Sequence, residues 1–233
     1  YENMYYRDMV DFIRTFFGKA LKSNSALKFA LLTGCLRISK ESIFTGLNNF
    51  SCFGVAENRF SDKFGFTESD IDKLLEITGF SEKKRLIEEW YDGYSFGKQQ
   101  SMFCPWDVIS YISSLYDDNE SVPTTYWVNT SGNSIIRDFL NNTNFHIRDD
   151  FEKLLSGKCI SVQINNDITY ESLYVSKDNI WNILYSTGYL TKASNDLIKK
   201  YNLINTINQS FLVIPNREIR SIFITSANDW FSN

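Results

Sequence analysis

The sequence predicts an α/β chain that becomes mainly α, on three observations. Four apolar residues, Phe29 to Leu32, follow an amphipathic segment and stop at Thr33-Gly34, as a buried strand would. Between about residues 51 and 146 the capping and periodicity signals are mostly helical. From about Arg148 onward, short β-rich runs alternate with helical ones. We divide the chain accordingly into residues 1–50, 51–146 and 147–233.

The first element is a helix from Met4 to about Leu21, because Val10, Phe12, Ile13, Phe16, Phe17 and Leu21 recur near helical spacing. The polar stretch Lys22 to Ser25 leads into the strand at Phe29. A helix followed closely by an apolar strand suits the second half of an α/β nucleotide-binding core. After Thr33-Gly34 come a polar elbow with Arg37 and Lys40 and a helix-like run from Glu41 to Leu47. Ligands of α/β folds bind in the crevice at the carboxyl edge of the sheet.

Thr67-Glu-Ser-Asp70 reads as a helix N-cap with acids in the first turn, opening a helix that carries Leu74, Leu75 and Ile77. Ser81 starts another, with Leu86, Ile87 and Trp90 inward. A strand near Met102-Phe103 precedes Pro105, well placed in the first turn of a helix holding Val108, Ile109 and Ile112. Ser134 to Leu140 completes the helical part. Beyond it we read a helix (Asp150 to Leu155), a strand (Cys159 to Ile164), a longer helix (Lys177 to Ser186), a hairpin from Gly188–Thr191 to Phe211–Ile214, and a closing helix after Pro215. Helix, strand, helix and hairpin in that order form a winged-helix-like α+β module, though a generic α+β lobe would read the same way.

Bulk properties narrow the function classes. The chain has 233 residues, a net charge of −4 and 43% hydrophobic content, with a mean hydropathy of −0.27. That is enough to bury a substantial core, and it is the wrong charge for a general polyanion binder. No apolar run is long enough to predict a membrane span, and no signal peptide is visible. Cysteines at 35, 52, 104 and 159 form no C-x-x-C pair, so a zinc site is not expected, and free thiols suit a reducing cytosol. His146 is the single histidine, which removes most metal and proton-relay schemes. We expect a cytoplasmic protein with no membrane partner. The first residue is Tyr1 and not an initiator Met, which fits an internal fragment or a trimmed chain.

Three catalytic motifs are approached and fail. Gly93-Tyr-Ser-Phe-Gly-Lys98-Gln99 is one residue short of a phosphate-binding loop, and Gln99 stands where a magnesium-binding hydroxyl belongs. The same residues spell G-x-S-x-G around Ser95, with Asp117 or Asp118 and His146 following in a chain order that permits a serine hydrolase. That elbow, however, must lie between a strand and a helix. Here Lys84 to Tyr91 reads as a helix, and Lys98 to Ser101 reads as a polar loop. Glu82-Lys83-Lys84 has the letters of a nuclease (D/E)-x-K but opens a helix, where its groups would not converge.

The segment Ala30 to Asn49, with Glu89-Trp-Tyr-Asp-Gly-Tyr-Ser-Phe96, resembles the bacterial predicted AAA-ATPase-like family. The resemblance continues at Phe64–Thr67, Tyr126-Trp127, Gly188–Thr191 and Ile214–Arg217. It implies the remainder of a P-loop ATPase core, then a helical lid and the winged-helix-like module. The phosphate-binding loop and magnesium-site strand would lie upstream, and a PD-(D/E)XK nuclease-like domain is often fused downstream. It further implies ATP with magnesium as cofactors of the full-length protein, none held by this piece alone. Nucleic acid would be reached through the nuclease, and a homo-oligomer is compatible.

Under that reading Thr33 and Arg37 are sensor-type catalytic candidates at the strand tip. Thr33 would orient water or the γ-phosphate, and Arg37 would sense phosphate in cis or from a neighbouring subunit. The plain alternative is that Thr33 caps a helix and Arg37 pairs with a surface carboxylate. Gly34, Lys40, Asn48 and Asn49 are nucleotide-contact candidates beside them. Trp90, Tyr91, Asp92 and Tyr94 would either close a lid over adenine or simply bury a helix stop at Gly93. If the chain is instead a non-enzymatic interaction module, Arg217 and Arg220 are the candidate nucleic-acid contacts.

Overall fold

A computed structural model describes residues 5–22, 24–34, 51–127, 136, 147–165, 176–204 and 209–231. It contains α1 (Tyr6–Leu21), α2 (Glu68–Thr78), a 3-10 turn (Ser81–Lys83), α3 (Lys84–Tyr91), β1 (Tyr94–Phe96), β2 (Gln99–Met102) and α4 (Pro105–Asp117). These are followed by α5 (Arg148–Leu155), β3 (Ile160–Gln163), α6 (Lys177–Ser186), β4 (Thr191–Lys192), α7 (Asn195–Lys200), β5 (Gln209–Val213) and α8 (Arg217–Phe231). The chain is thus mixed α/β with small antiparallel sheets.

Two apolar cores organise it. The first is built by α2, α3 and α4. Thr67 begins α2 with a reciprocal capping box, its side chain accepting from the Asp70 N–H while Asp70 accepts from the Thr67 N–H. Gly79 ends the helix in the left-handed region, at φ 79°. Ile71, Leu75, Ile87, Tyr91, Val108, Tyr111 and Leu115 are almost fully buried together. Ile77 points outward instead, at 83% exposure. Six residues on from Ile71 it is turned about 240° round the helix. Ile109 is exposed for the same reason, lying off the stripe of Val108, Tyr111 and Ile112. On the surface, Lys84 reaches from α3 to Glu68 and Asp72 of α2, at 3.2 and 2.6 Å.

The second core lies between α5, α6, α8 and a three-stranded antiparallel sheet of order β3-β5-β4. In β3 the burial alternates, with Ile160 and Val162 facing inward. Trp181, Leu184, Leu212, Ile219 and Phe223 fill the centre. β4 does pair with β5, Thr191 opposite Val213, but the expected hairpin is interrupted by α7, capped by Ser194. The expected helix at Ser134–Leu140 lies outside the described residues, apart from the buried, helical Ile136.

A further departure concerns Lys98 to Ser101. This stretch is not a loop, because Gln99–Met102 forms β2 and pairs with β1. The β1–β2 hairpin connects α3 to α4 of the first core, and its β1 strand touches β4 of the second half. At the corner between α3 and β1, Gly93 has φ 105°, and a Cβ there would stand 2.1 Å from the Pro215 carbonyl oxygen. Two backbones meet at that point with no room for a side chain.

The helix α1 forms as expected, yet only part of its apolar face is covered. Val10 is buried, while Met9, Phe12 and Phe16 are exposed. Phe29–Leu32 overturns the expected buried strand. It runs without regular secondary structure, and Phe29 and Leu31 are 80% and 76% exposed. A strand is a pairing rather than a composition, and no strand among the described residues lies beside this one.

Gly93→Ala is expected to destabilise the chain by about 3 kcal/mol in urea unfolding. Gly79→Ala, whose Cβ would meet open space, should cost only about 1 kcal/mol.

Candidate functional site

Thr33 and Gly34 fall at the end of the exposed segment just described. Arg37, Lys40, Asn48 and Asn49 lie outside the described residues. The segment starts from an Asx turn, in which Asn24 accepts from the Ala26 N–H at 3.0 Å and donates to the Ala20 carbonyl at 3.1 Å, closing α1.

The aromatic knot is brought together, but inside the protein. Tyr91 is fully buried, and its hydroxyl donates to the Thr124 carbonyl at 2.9 Å and accepts from the Thr124 N–H at 3.1 Å. Its ring lies beside Trp90, Tyr111 and Tyr126. Tyr94 is also buried, and burial raises the phenol pKa of both well above the usual range. Asp92 accepts from the Ser101 hydroxyl at 2.6 Å, and burial raises its pKa. These side chains serve the core and the hairpin, and Tyr91 and Tyr94 offer no open ring face.

Ser95 lies on β1, with its N–H donating to the Thr191 hydroxyl at 2.8 Å. A turn and a second strand follow it, so it does not occupy a strand-to-helix elbow. Gly97 of the same motif is instead needed where the turn touches Glu57, whose carbonyl oxygen would be 2.4 Å from a Cβ. Arg217 pairs with Glu89 of α3. Arg220 donates through Nε and Nη2 to the Leu155 carbonyl, at 3.3 and 3.1 Å. Both arginines therefore tie elements of the chain together.

Sequence reasoning missed a different constellation. Asp107, in the first turn of α4, and Glu218, in the first turn of α8, are 2% and 0% exposed. Their carboxyl groups adjoin in the interior, close enough for one to hydrogen-bond the other. Glu218 Oε1 also accepts from the Trp127 N–H at 2.7 Å. Asp107 Oδ1 and Glu218 Oε2 otherwise lack a donor. Two acids can bond in this way only if one keeps its proton. Burial, then the neighbouring Asp107, pushes Glu218 up to about 8. Burial likewise raises Asp107, against the pull of its bonds to Glu218 and Cys104. Burial and the adjoining Asp107 push the Cys104 thiol up to about 12. A legible signal did exist, since each acid sits on the apolar stripe of its own helix, Asp107 beside Val108 and Tyr111, Glu218 beside Ile219 and Ile222.

Residues 1–44 match the predicted AAA-ATPase family. The match takes in α1, the exposed apolar segment, Thr33 and Gly34. An uncharacterized protein in the vnfD 5' region of Azotobacter chroococcum mcd 1 is 27% identical over 217 residues, covering 92% of this chain and 37% of that protein. The chain thus spans little more than a third of that relative's length. No solved structure matches significantly. Among the described residues no cluster of His, Cys, Asp and Glu could hold a metal ion, and no helix is long and apolar enough to cross a membrane.

Tyr91→Phe should lower stability by about 2 kcal/mol, because it strips a donor and an acceptor from the Thr124 backbone. Chemical denaturation would measure the loss.

Proposed function

We propose that this chain is part of a larger ATPase, lying after its phosphate-binding loop and magnesium-site strand. The whole protein would bind ATP with magnesium and hydrolyse it. The observation that carries this reading is the family match at residues 1–44. The bare apolar run Phe29–Leu32 supports it, since a stretch of that composition is suited to the interior of a sheet rather than to water. In this reading residues 1–50 finish the ATPase core, residues 51–146 form a helical lid, and residues 147–233 form a winged-helix-like module. The resemblance adds a nuclease as a possible fused domain of the same protein.

The residues present do not themselves fit ATP. The sequence lacks G-x-x-x-x-G-K-[ST], the motif whose backbone N–H groups wrap a phosphate chain. The knot rings Tyr91 and Tyr94 are closed into the interior. The nucleotide contacts of this segment would then be confined to the Thr33–Arg37 tip and its neighbours, with Arg37 the residue that answers to phosphate.

Two measurements test the proposal. In the full-length protein Arg37→Ala should slow phosphate release from ATP at least about tenfold, and unchanged turnover would remove Arg37 from the mechanism. The 233-residue chain alone should neither bind ATP by calorimetry nor turn it over. Turnover by the isolated chain would show that the phosphate cradle has been misplaced.

A further inference from the structure

The two apolar cores meet along a seam that is polar. Asp107 belongs to α4 of the first core and Glu218 to α8 of the second. The Trp127 N–H bonded to Glu218 lies in the irregular stretch after α4. Tyr126 of that stretch packs on the first core, and the Trp127 ring lies on the second, 4.8 Å from Tyr189. Arg217–Glu89, Ser95–Thr191 and the Gly93–Pro215 approach cross the same seam. We propose that one proton shared by Asp107 and Glu218 latches the two halves together, and that its loss loosens the seam and makes the chain's conformation sensitive to pH.

The groups facing the pair are known from each element around it. They are Tyr91 on α3, Tyr94 on β1, Cys104 ahead of α4, and Tyr126 beside Trp127. The charged pair at this end of α8, Arg217 with Glu89, lies toward the surface. Burial holds Tyr91, Tyr94 and Cys104 above their ordinary ranges, so they stay neutral through pH 9. A second negative charge on the acid pair would therefore meet phenols, a thiol and another carboxylate in a dry site, and the repulsion would be poorly screened.

Glu218 is raised in the folded chain, to about 8, above its ordinary value of 4.5. Its contribution is complete below that ordinary value and is lost as pH climbs through about 8. Thermal unfolding of the 233-residue chain should show a melting temperature that falls between pH 5 and pH 8.5 and then levels off. Hydrogen exchange at the Trp127 amide, corrected for its intrinsic pH dependence, should give an opening constant at least about tenfold larger at pH 9 than at pH 6.

Glu218→Gln and Asp107→Asn each replace the shared proton with a permanent amide donor. Either should flatten both profiles, and the second variant answers the question if the first does not fold. A wild-type profile flat from pH 5 to 9, or slopes unchanged in the variants, would overturn the proposal. So would failure of both variants to fold, since an amide donor must substitute for the proton if the latch is what we describe.

Discussion

A buried pair of acids, Asp107 and Glu218, is the constraint that joins the two apolar cores. Asp107 and Glu218 each lie in the first turn of a helix, where partial positive charge favours a carboxylate. Those two helices belong to different apolar cores. Apolar packing is non-directional, so it would join the halves in many orientations. Hydrogen bonds that must be satisfied in a dry seam admit far fewer. Arrangement of one core on the other is thus a matter of polar geometry, while the stability of each comes from its interior.

The Trp-Tyr-Asp-Gly-Tyr stretch illustrates the same division of labour. Its aromatic density suggests ligand stacking, but the rings are fixed by backbone partners and by one another. Gly93 allows the Pro215 carbonyl to approach, and Asp92 holds Ser101 in the irregular hairpin. The stretch forms the corner at which the chain leaves one core and touches the other. A dense aromatic stretch builds a joint as readily as a binding surface.

Much of the helical part was legible in the sequence because its signals are local. Thr67 with Asp70, Pro105, and Lys177–Ser186 announce themselves through capping and periodicity. The strand expected at Phe29–Leu32 failed because composition reveals an appetite for burial but not the neighbour that satisfies it. Helix α7 was missed because six residues inside a two-strand connection leave almost no periodic signal. The acid pair was the least legible feature, since its members are far apart in sequence and each alone reads as a first-turn acid. Trp127 contributes a backbone N–H, a role that no side-chain reading can foresee.

The run from Ala26 to Thr33 carries a single charge, Lys28. With Phe29 and Leu31 bare and no strand beside it among the described residues, it turns apolar side chains toward solvent. Such a stretch recruits whatever extended chain it meets, its own kind included. A lone cation in an apolar run, such as Lys28 here, opposes the stacking of like segments.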